Sequence, residues 1–430
     1  MRIHLRRKLL GIILGLVALP TLSAMDNAHY YKIANFEGLQ SHNTKNWFNQ
    51  LDIKLQYGAA RSGYDFAGHK SSVLDTHGNQ NMLYLVTGVP ATSDVDVTDY
   101  RILAANLVNH SQNNSNFGKL SFNGKFSLLE ADFSIRQNLA AGFFLEAQLP
   151  LRTIKVDNIS YTDLSPETGM YSQQNRDWIR LLKLFNNVLN AYDMKNYDSV
   201  YEKTGLGELS IMVGWQYEDK KTFDFLQFLS LAFRLGLLFP TDSKADVSYA
   251  FPVSTGYDQH WGLPLRFDLN IGALSWLTFG AYTGVQFFFN KTYNNRMKTN
   301  ANQSGFIKLA EGQAKTDFGA MWDIGLDAKF DHFYKGLSFL LGYSYTNKGS
   351  NDLTPSNTTI FSSSTVNSDS GLYTWRQHVI HLLAEYDFGV HIKSKKWGAR
   401  LNAFYDFPIG GKNIFSTNMY GGGIGLDLQF

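Results

Sequence analysis

Cysteine is absent from the 430 residues, which excludes a disulfide framework, a thiolate metal site and a cysteine nucleophile. Proline is scarce, at 9 residues against 37 glycines, so few positions forbid the ladder hydrogen bonds of extended chain. Charged residues make up only 18%, and a formal charge of +2 gives no reason to expect a nucleic-acid partner. Beyond the amino terminus there is no run of about 18 or more apolar residues, which excludes an ordinary helical membrane protein. What is abundant is aromatic: Phe 32, Tyr 23 and Trp 8, or 15% of the chain, a composition suited to many long strands in contact with lipid.

At the amino terminus Arg2, Arg6, Arg7 and Lys8 precede an apolar stretch from Leu9 to Leu19, followed by Pro20 and the small-residue exit Thr21-Leu22-Ser23-Ala24. This pattern predicts a secretory signal peptide over 1–24, too short to serve as a spanning anchor. Removing it would change the formal charge from +2 to −2. No cysteine follows, so a lipoprotein anchor is excluded. The predicted organisation is a signal peptide over 1–24, a periplasmic segment over 25–49 and an outer-membrane β-barrel over 50–430.

Period-two alternation dominates the remainder. Leu129, Ala131, Phe133 and Ile135 alternate with Glu130, Asp132, Ser134 and Arg136, and Leu263, Leu265, Phe267, Leu269 and Ile271 enclose Arg266 and Asp268. A strand of a soluble α/β core would be apolar on both faces, so these are amphipathic strands. Twelve such runs occur, near 50–61, 124–137, 141–156, 204–218, 226–240, 261–273, 276–290, 316–331, 337–348, 373–388, 397–408 and 419–430. Most exceed the roughly 9–11 residues a tilted strand needs to cross a bilayer. Short connectors alternate with long polar ones such as Thr241 to His260 and Lys291 to Lys315. The fold expected is all-β, a transmembrane antiparallel up-and-down barrel of twelve strands in the bacterial outer membrane, with short turns in the periplasm and long loops outside. Hydrocarbon offers backbone groups no partners, so a sheet crossing it must close on itself. Aromatics near strand ends, among them Trp276, Phe289, Tyr343, Tyr345, Tyr373, Trp397 and Phe407, are placed to form interfacial girdles.

Two regions depart from a plain barrel. Met82 to Val86 and Arg101 to Val108 have the content of two further strands, which would raise the count to fourteen. Trp178, Leu181, Leu182, Phe185, Leu189 and Tyr192 recur at helical spacing and predict an amphipathic helix of about five turns in an extracellular loop, packing on a neighbouring loop or capping the barrel mouth.

The carboxy-terminal Gly-Ile-Gly-Leu-Asp-Leu-Gln-Phe, with Gly425, Leu428 and terminal Phe430, resembles the signal by which the barrel assembly machinery recognises its clients. Gly205-Leu206-Gly207-Glu208-Leu209, followed by a strand, a turn, and Leu229 to Pro240-Thr241, resembles the Gly-Leu-Gly-Asp and Leu-Pro-Thr-Gly signatures of outer-membrane transporters named for the MetA pathway of phenol degradation. Glu208 replaces the family's Asp and Asp242 its final Gly. Phe133 to Leu151 is similar to that family's strand, turn, strand and Leu-Pro pattern. The resemblance covers the middle third of the chain and implies transport of small, often hydrophobic or aromatic, compounds, with no catalytic residues.

Projected from the periplasmic ends, Glu130, Asp132, Glu146, Arg234, Arg266, Asp268, Asp323 and His381 fall at similar height on inward faces. Such a layer is either a mixed-charge constriction that selects a solute or a salt-bridged filling of a narrow barrel. Lipid hydrolysis would need an outward Ser beside outward His378, and none appears in the strands. Asp258 and His260 with Asp242 or Asp246 could activate water at the rim, but one Asp-x-His in a polar loop is commonplace. Lys393, Lys395 and Lys396 read as a solvated periplasmic turn. The expected function is a passive channel or transporter for a small-molecule solute, with a loop-rich structural barrel second and an outer-membrane hydrolase third. No cofactor or metal is implied; outer-membrane lipid, lipopolysaccharide and the barrel assembly machinery are the expected partners.

Overall fold

A computed structural model describes residues 47–87, 89, 97–111, 116–166, 172–220, 226–390 and 397–429. The signal-peptide stretch, most of the segment assigned to the periplasm, Lys393, Lys395, Lys396 and Phe430 lie outside the described residues.

Twelve strands form one closed antiparallel barrel: β1 (Phe48–Ala60), β2 (Lys119–Asn138), β3 (Phe143–Asp163), β4 (Tyr201–Leu206 continuing as Leu209–Asp219), β5 (Phe228–Phe239), β6 (Gly262–Leu274), β7 (Leu277–Phe288), β8 (Met321–Tyr334), β9 (Leu337–Lys348), β10 (Trp375–Asp387), β11 (Trp397–Lys412) and β12 (Asn418–Gln429). Each pairs with the next, and β12 closes on β1 in continuous register from Phe48 opposite Gln429 to Ala59 opposite Asn418. Leu428, in that last strand, faces Asn49 on one side and Trp397 on the other.

Alternation sets the two faces. On β1, Leu51, Ile53 and Leu55 are exposed outward; Phe133 and Ile135, Ile211 and Val213, Leu235 and Leu237, Ile324 and Leu326, and Ile424 and Leu426 continue the band around the barrel. A belt of this extent would drive a soluble protein to aggregate, whereas hydrocarbon satisfies it. Trp276, Phe289, Tyr373 and Trp397 stand exposed at strand ends. A closed barrel of even strand count, apolar outside, with short turns at one end and long loops at the other, is an outer-membrane barrel, and the bacterial outer membrane is where this protein resides. No described helix is long and apolar enough to cross a membrane.

The long loops fold into a cap with its own apolar core. Strands β2 and β3 are the longest, at 20 and 21 residues, and project into it. Their inward residues change along the chain from charged Arg136, Asp132 and Glu130 to apolar Leu128, Phe126 and Phe122, and from Glu146 to Ile154 and Val156. Arg101 to Val108, expected as a strand, is part of helix α1 (Thr98–Ser111). Tyr100, Leu103, Ala104 and Leu107 are its buried residues, and their spacing is helical rather than alternating. Met82 to Val86 is likewise no strand: it turns on itself, Leu85 N–H bonding to Met82 O at 3.4 Å, and buries Met82, Leu83, Leu85 and Val86 in the cap core. The count is therefore twelve and not fourteen. The five-turn helix is two, α2 (Gln173–Lys183) and α3 (Phe185–Ala191), broken at Leu184, with Trp178, Leu181, Phe185, Val188 and Leu189 in the cap core. Ser172 caps α2 by accepting from Asn175 N–H at 3.1 Å.

The run expected over 316–331 is divided. Glu311–Phe318 belongs to a three-stranded sheet of the cap with Lys291–Arg296 and Asn351–Pro355, and Phe318 is buried against Tyr257 instead of facing lipid. The break falls at Gly319, where a Cβ would sit 2.3 Å from Ser350 O.

Candidate channel lumen

The interruption of β4 sets up the site. Gln148 pairs with Ser210, but Leu151 pairs with Leu206, so β4 carries one residue more than β3 across this interval. Such a bulge re-aims side chains. Above it Tyr201 is buried on the inner side, below it Ser210 and Gln216 are, and Glu208 within it is buried toward the lumen beside Arg152. Pro150 has no N–H, and its carbonyl accepts from Gly207 N–H at 2.7 Å, holding the bulge closed.

The structure places all eight expected lumen residues on the inward side, but in two tiers instead of one. Glu146, Arg234 and Asp268 belong to the inner tier, toward the short turns. Arg136 pairs with Glu146 at 3.0 Å; Arg234 reaches Glu146 at 3.4 Å and Asp268 at 3.6 Å; Arg266 closes the series on Asp268 at 3.0 Å. The guanidinium of Arg136 lies 3.8 Å from the Phe144 ring centre, and that of Arg266 lies 4.0 Å from Tyr282. Arg234 has no solvent exposure at all. A second cluster continues this tier: Arg400 meets Asp427 at 2.9 Å and both Asp52 and Glu385 at 3.4 Å. Gly425 makes room for it, since a Cβ there would stand 2.5 Å from Asp52 Oδ1 and 2.7 Å from Arg400 Nη2. Paired, hydrogen-bonded charges are the form in which ions tolerate burial.

Above this tier is a cavity of about 220 Å³. Glu130, Asp132, Asp323 and His381 line it, with Arg266 at its floor. So do Lys54, Arg152, Glu208 and Asp406, which the sequence did not assign to the lumen. Arg152 lies in the inward phase of β3, and Glu208 continues the inward phase of Ser210 and Gln216 below the bulge, so alternation held the signal for both. Met212, Leu238, Met321, Leu340, Phe404 and Met419 supply apolar wall. Arg152 pairs with Glu130 and, at 3.1 Å, with Glu208, while Gln148 donates to Asp132 at 2.7 Å.

Ser344 Oγ lies 2.7 Å from His381 Nε2, and His381 Nδ1 lies 2.9 Å from Asp406 Oδ1. These are the distances of a Ser-His-Asp triad, but the exposure is reversed. Asp406 faces the cavity, whereas Ser344 is fully buried and does not line it. A nucleophile must be reachable by its substrate, so this chain serves to orient His381. Outward His378 is engaged by Tyr343, whose hydroxyl lies 2.7 Å from Nδ1. Among the described residues no group of three or more His, Asp or Glu side chains is arranged to hold a metal ion.

The loop between β5 and β6 packs against residues of the cavity wall, Arg152, Glu208, Leu238 and Met321. Ser254, Thr255, Tyr257 and His260 are fully buried in it. Arg152 Nη1 donates to Thr255 O at 2.6 Å, and Tyr257 packs on Leu238 and Met321, both cavity residues. Asp242 Oδ2 accepts from Gln259 N–H at 2.9 Å. Burial, then the neighbouring Glu208 carboxylate, pushes the Asp242 carboxyl up to about 7. Burial likewise raises Asp258 and lowers His260 to about 4. Asp258 Oδ1 accepts from Ala245 N–H, and the His260 ring contacts Phe289 O at 2.8 Å, so the Asp-x-His pair secures loop backbone.

No family model matches the chain, and no curated protein matches it. Solved structures that resemble it include an outer-membrane channel from Pseudomonas putida F1, at 10% identity over 91% of this chain and 99% of that one, TM-score 0.47. Another is the transport unit of the autotransporter AIDA-I from Escherichia coli, at 7% identity over 93% and 95%, TM-score 0.36. A third is the toluene transporter TodX from Pseudomonas putida, at 10% identity over 96% and 99%, TM-score 0.33.

Proposed function

We propose that this barrel is a gated outer-membrane channel for small solutes that combine an apolar body with a polar or charged group. One observation carries the reading: a cavity of about 220 Å³ lies across the barrel interior, walled both by charges of either sign and by Leu, Met and Phe side chains. Small sites that bind and release organic solutes have this make-up, apolar surface with a few placed polar groups. The resemblance of Gly205 to Thr241 to the MetA-pathway transporters implies hydrophobic or aromatic solutes; the charged half of the wall favours those with a polar head. Lipopolysaccharide and outer-membrane lipid are its proposed surroundings, and the barrel assembly machinery its proposed route there. The activity proposed is passage and not catalysis.

The test is conductance of protein purified from outer membranes, in a planar bilayer, compared with Arg266→Ala. A steady conductance changed by about twofold or more is expected, because Arg266 bridges the floor of the cavity and the inner tier. The second reading, a structural barrel with no open path, is favoured by the full burial of Arg234. Absence of conductance from a folded, heat-modifiable barrel under every condition would decide for it.

A further inference from the structure

Several hydrogen bonds fasten the β5–β6 loop to the barrel wall, among them Tyr201 hydroxyl to Val253 O at 2.6 Å and Thr255 Oγ1 to Leu206 O at 2.8 Å, and at one further point loop and wall meet through acidic side chains. Gly256 is wedged between two carboxyl groups: a Cβ there would lie 2.5 Å from Asp242 Cβ and 2.6 Å from Glu208 Oε1. Asp242 belongs to the loop and is 3% exposed; Glu208 belongs to the wall and is 4% exposed. Asp242 Oδ1 has no hydrogen-bond partner among the described residues. Glu208 in turn holds Arg152, and Arg152 holds the carbonyl of Thr255, next to Gly256. Loop and wall therefore meet where two buried carboxylates crowd each other, and like charges so placed cannot both ionise cheaply.

We infer that the β5–β6 loop is a proton-operated gate over the lumen, closed when Asp242 is protonated and loosened when Asp242 and Glu208 are both charged. This rests on the channel reading and supplies its regulation. In the closed state the Asp242 hydroxyl is available to the Glu208 carboxylate, one proton serving two acids; loss of that proton to solvent leaves two negative charges across Gly256. From the wall Asp242 faces Glu208, with Arg152 and Glu130 behind it. From its own loop it faces Asp258, around which Lys203, Lys244 and Lys291 are arranged. Those lysines compensate Asp258, and Arg152 is shared by two glutamates, so the cations nearby are already engaged when Asp242 ionises. Asp242 titrates close to neutrality, so the change falls within the range a cell surface meets.

Two readouts separate this inference from the reading beneath it. The chain has no cysteine, so Ser254→Cys gives a single thiol in the fully buried part of the loop. Maleimide labelling of that thiol, normalised to an exposed control at Ser356→Cys, is expected to rise about tenfold between pH 6 and pH 8.5. In the Asp242→Asn background, which keeps the side chain neutral, labelling is expected to stay slow throughout. Labelling independent of pH, or the same pH dependence in Asp242→Asn, would overturn the gate, provided both variants remain heat-modifiable barrels. Conductance is then measured over the same pH range for the wild type, Asp242→Asn and a chain with residues 243–255 replaced by a short Gly-Ser linker. Conductance rising with pH in the wild type and not in Asp242→Asn supports the gate. Steady, pH-independent conductance in the wild type rejects the gate and leaves the channel. If the wild type conducts at no pH and the linker chain is also silent, the channel reading itself fails.

Discussion

The inner tier of the lumen and the cap close opposite ends of the same cavity by opposite chemistry. Below, Arg136, Glu146, Arg234, Asp268 and Arg266 and the Arg400 cluster fill the barrel with paired charge. Above, Phe122, Phe126, Leu128, Ile154 and Val156 rise from the same strands into an apolar core shared with helices α1, α2 and α3. A charged seal is held by specific partners and fails when one is removed, since the other is left buried and uncompensated. An apolar seal is non-directional and weakens in proportion to the surface lost. The two seals should therefore respond differently to the loss of a single side chain.

The contrast is broken most severely by Arg400→Ala, which strands Asp52, Glu385 and Asp427 together. A global loss of about 3–5 kcal/mol is expected, read as a lower urea midpoint for the membrane-inserted barrel. Phe122→Ala comes next. It removes a ring packed among Tyr161, Phe185, Tyr197 and Phe251 and should cost about 3 kcal/mol, confined to the cap. Hydrogen exchange should quicken in α1 to α3 while the barrel's unfolding midpoint stays in place; a matching shift of both would refute the independence of the two regions.

A pH series sharpens the same comparison. Burial holds His77 down to about 3, against Phe306 at a ring separation of 4.0 Å. A histidine lowered in the folded state stabilises fully above its ordinary value near 6.5, and that contribution is lost as pH falls toward 3. Asp242 acts in the other sense: raised to about 7, its contribution is full at acid pH and lost as pH rises through that value. Hydrogen exchange around His77 should therefore quicken on acidification, less so in His77→Gln, while the β5–β6 loop quickens on the alkaline side. The smallest effect expected is Gly425→Ala, whose added methyl must push aside the ends of Asp52 and Arg400, at about 1–2 kcal/mol by urea unfolding.

All twelve strands and the inward or outward sense of most residues were legible in the sequence, because a bilayer outside and water or charge inside impose period two directly. Which charges meet was not. Alternation says that Arg234 points inward, but its contact with Glu146 and Asp268 depends on register across three strands. The division of the lumen into two tiers was hidden for the same reason: strand tilt places residues of equal count from the turn at different heights. The bulge at Gly207 and Glu208 could not be seen as a change of phase because the strand above it, Tyr201–Leu206, is only 6 residues long, and Phe318 was misplaced because a cap strand follows the alternation of the barrel strand after it. Helix α1 was misread since its apolar residues satisfy both periods over so short a stretch.

One cluster also bears on how the chain finishes folding. Arg400 and Asp427 lie on adjoining strands near the carboxy terminus, but Asp52 lies on the first strand, 348 residues away in sequence. While β1 and β12 are apart, two unpaired sheet edges stand open and this arginine meets only the acids of its own end of the chain. Joining the edges brings Asp52 into place and links β1 electrostatically to the last strands. The cluster is a clasp: a circular sheet has no end to fasten, and this barrel marks the completion of its circle by a charge that only the closed form can supply.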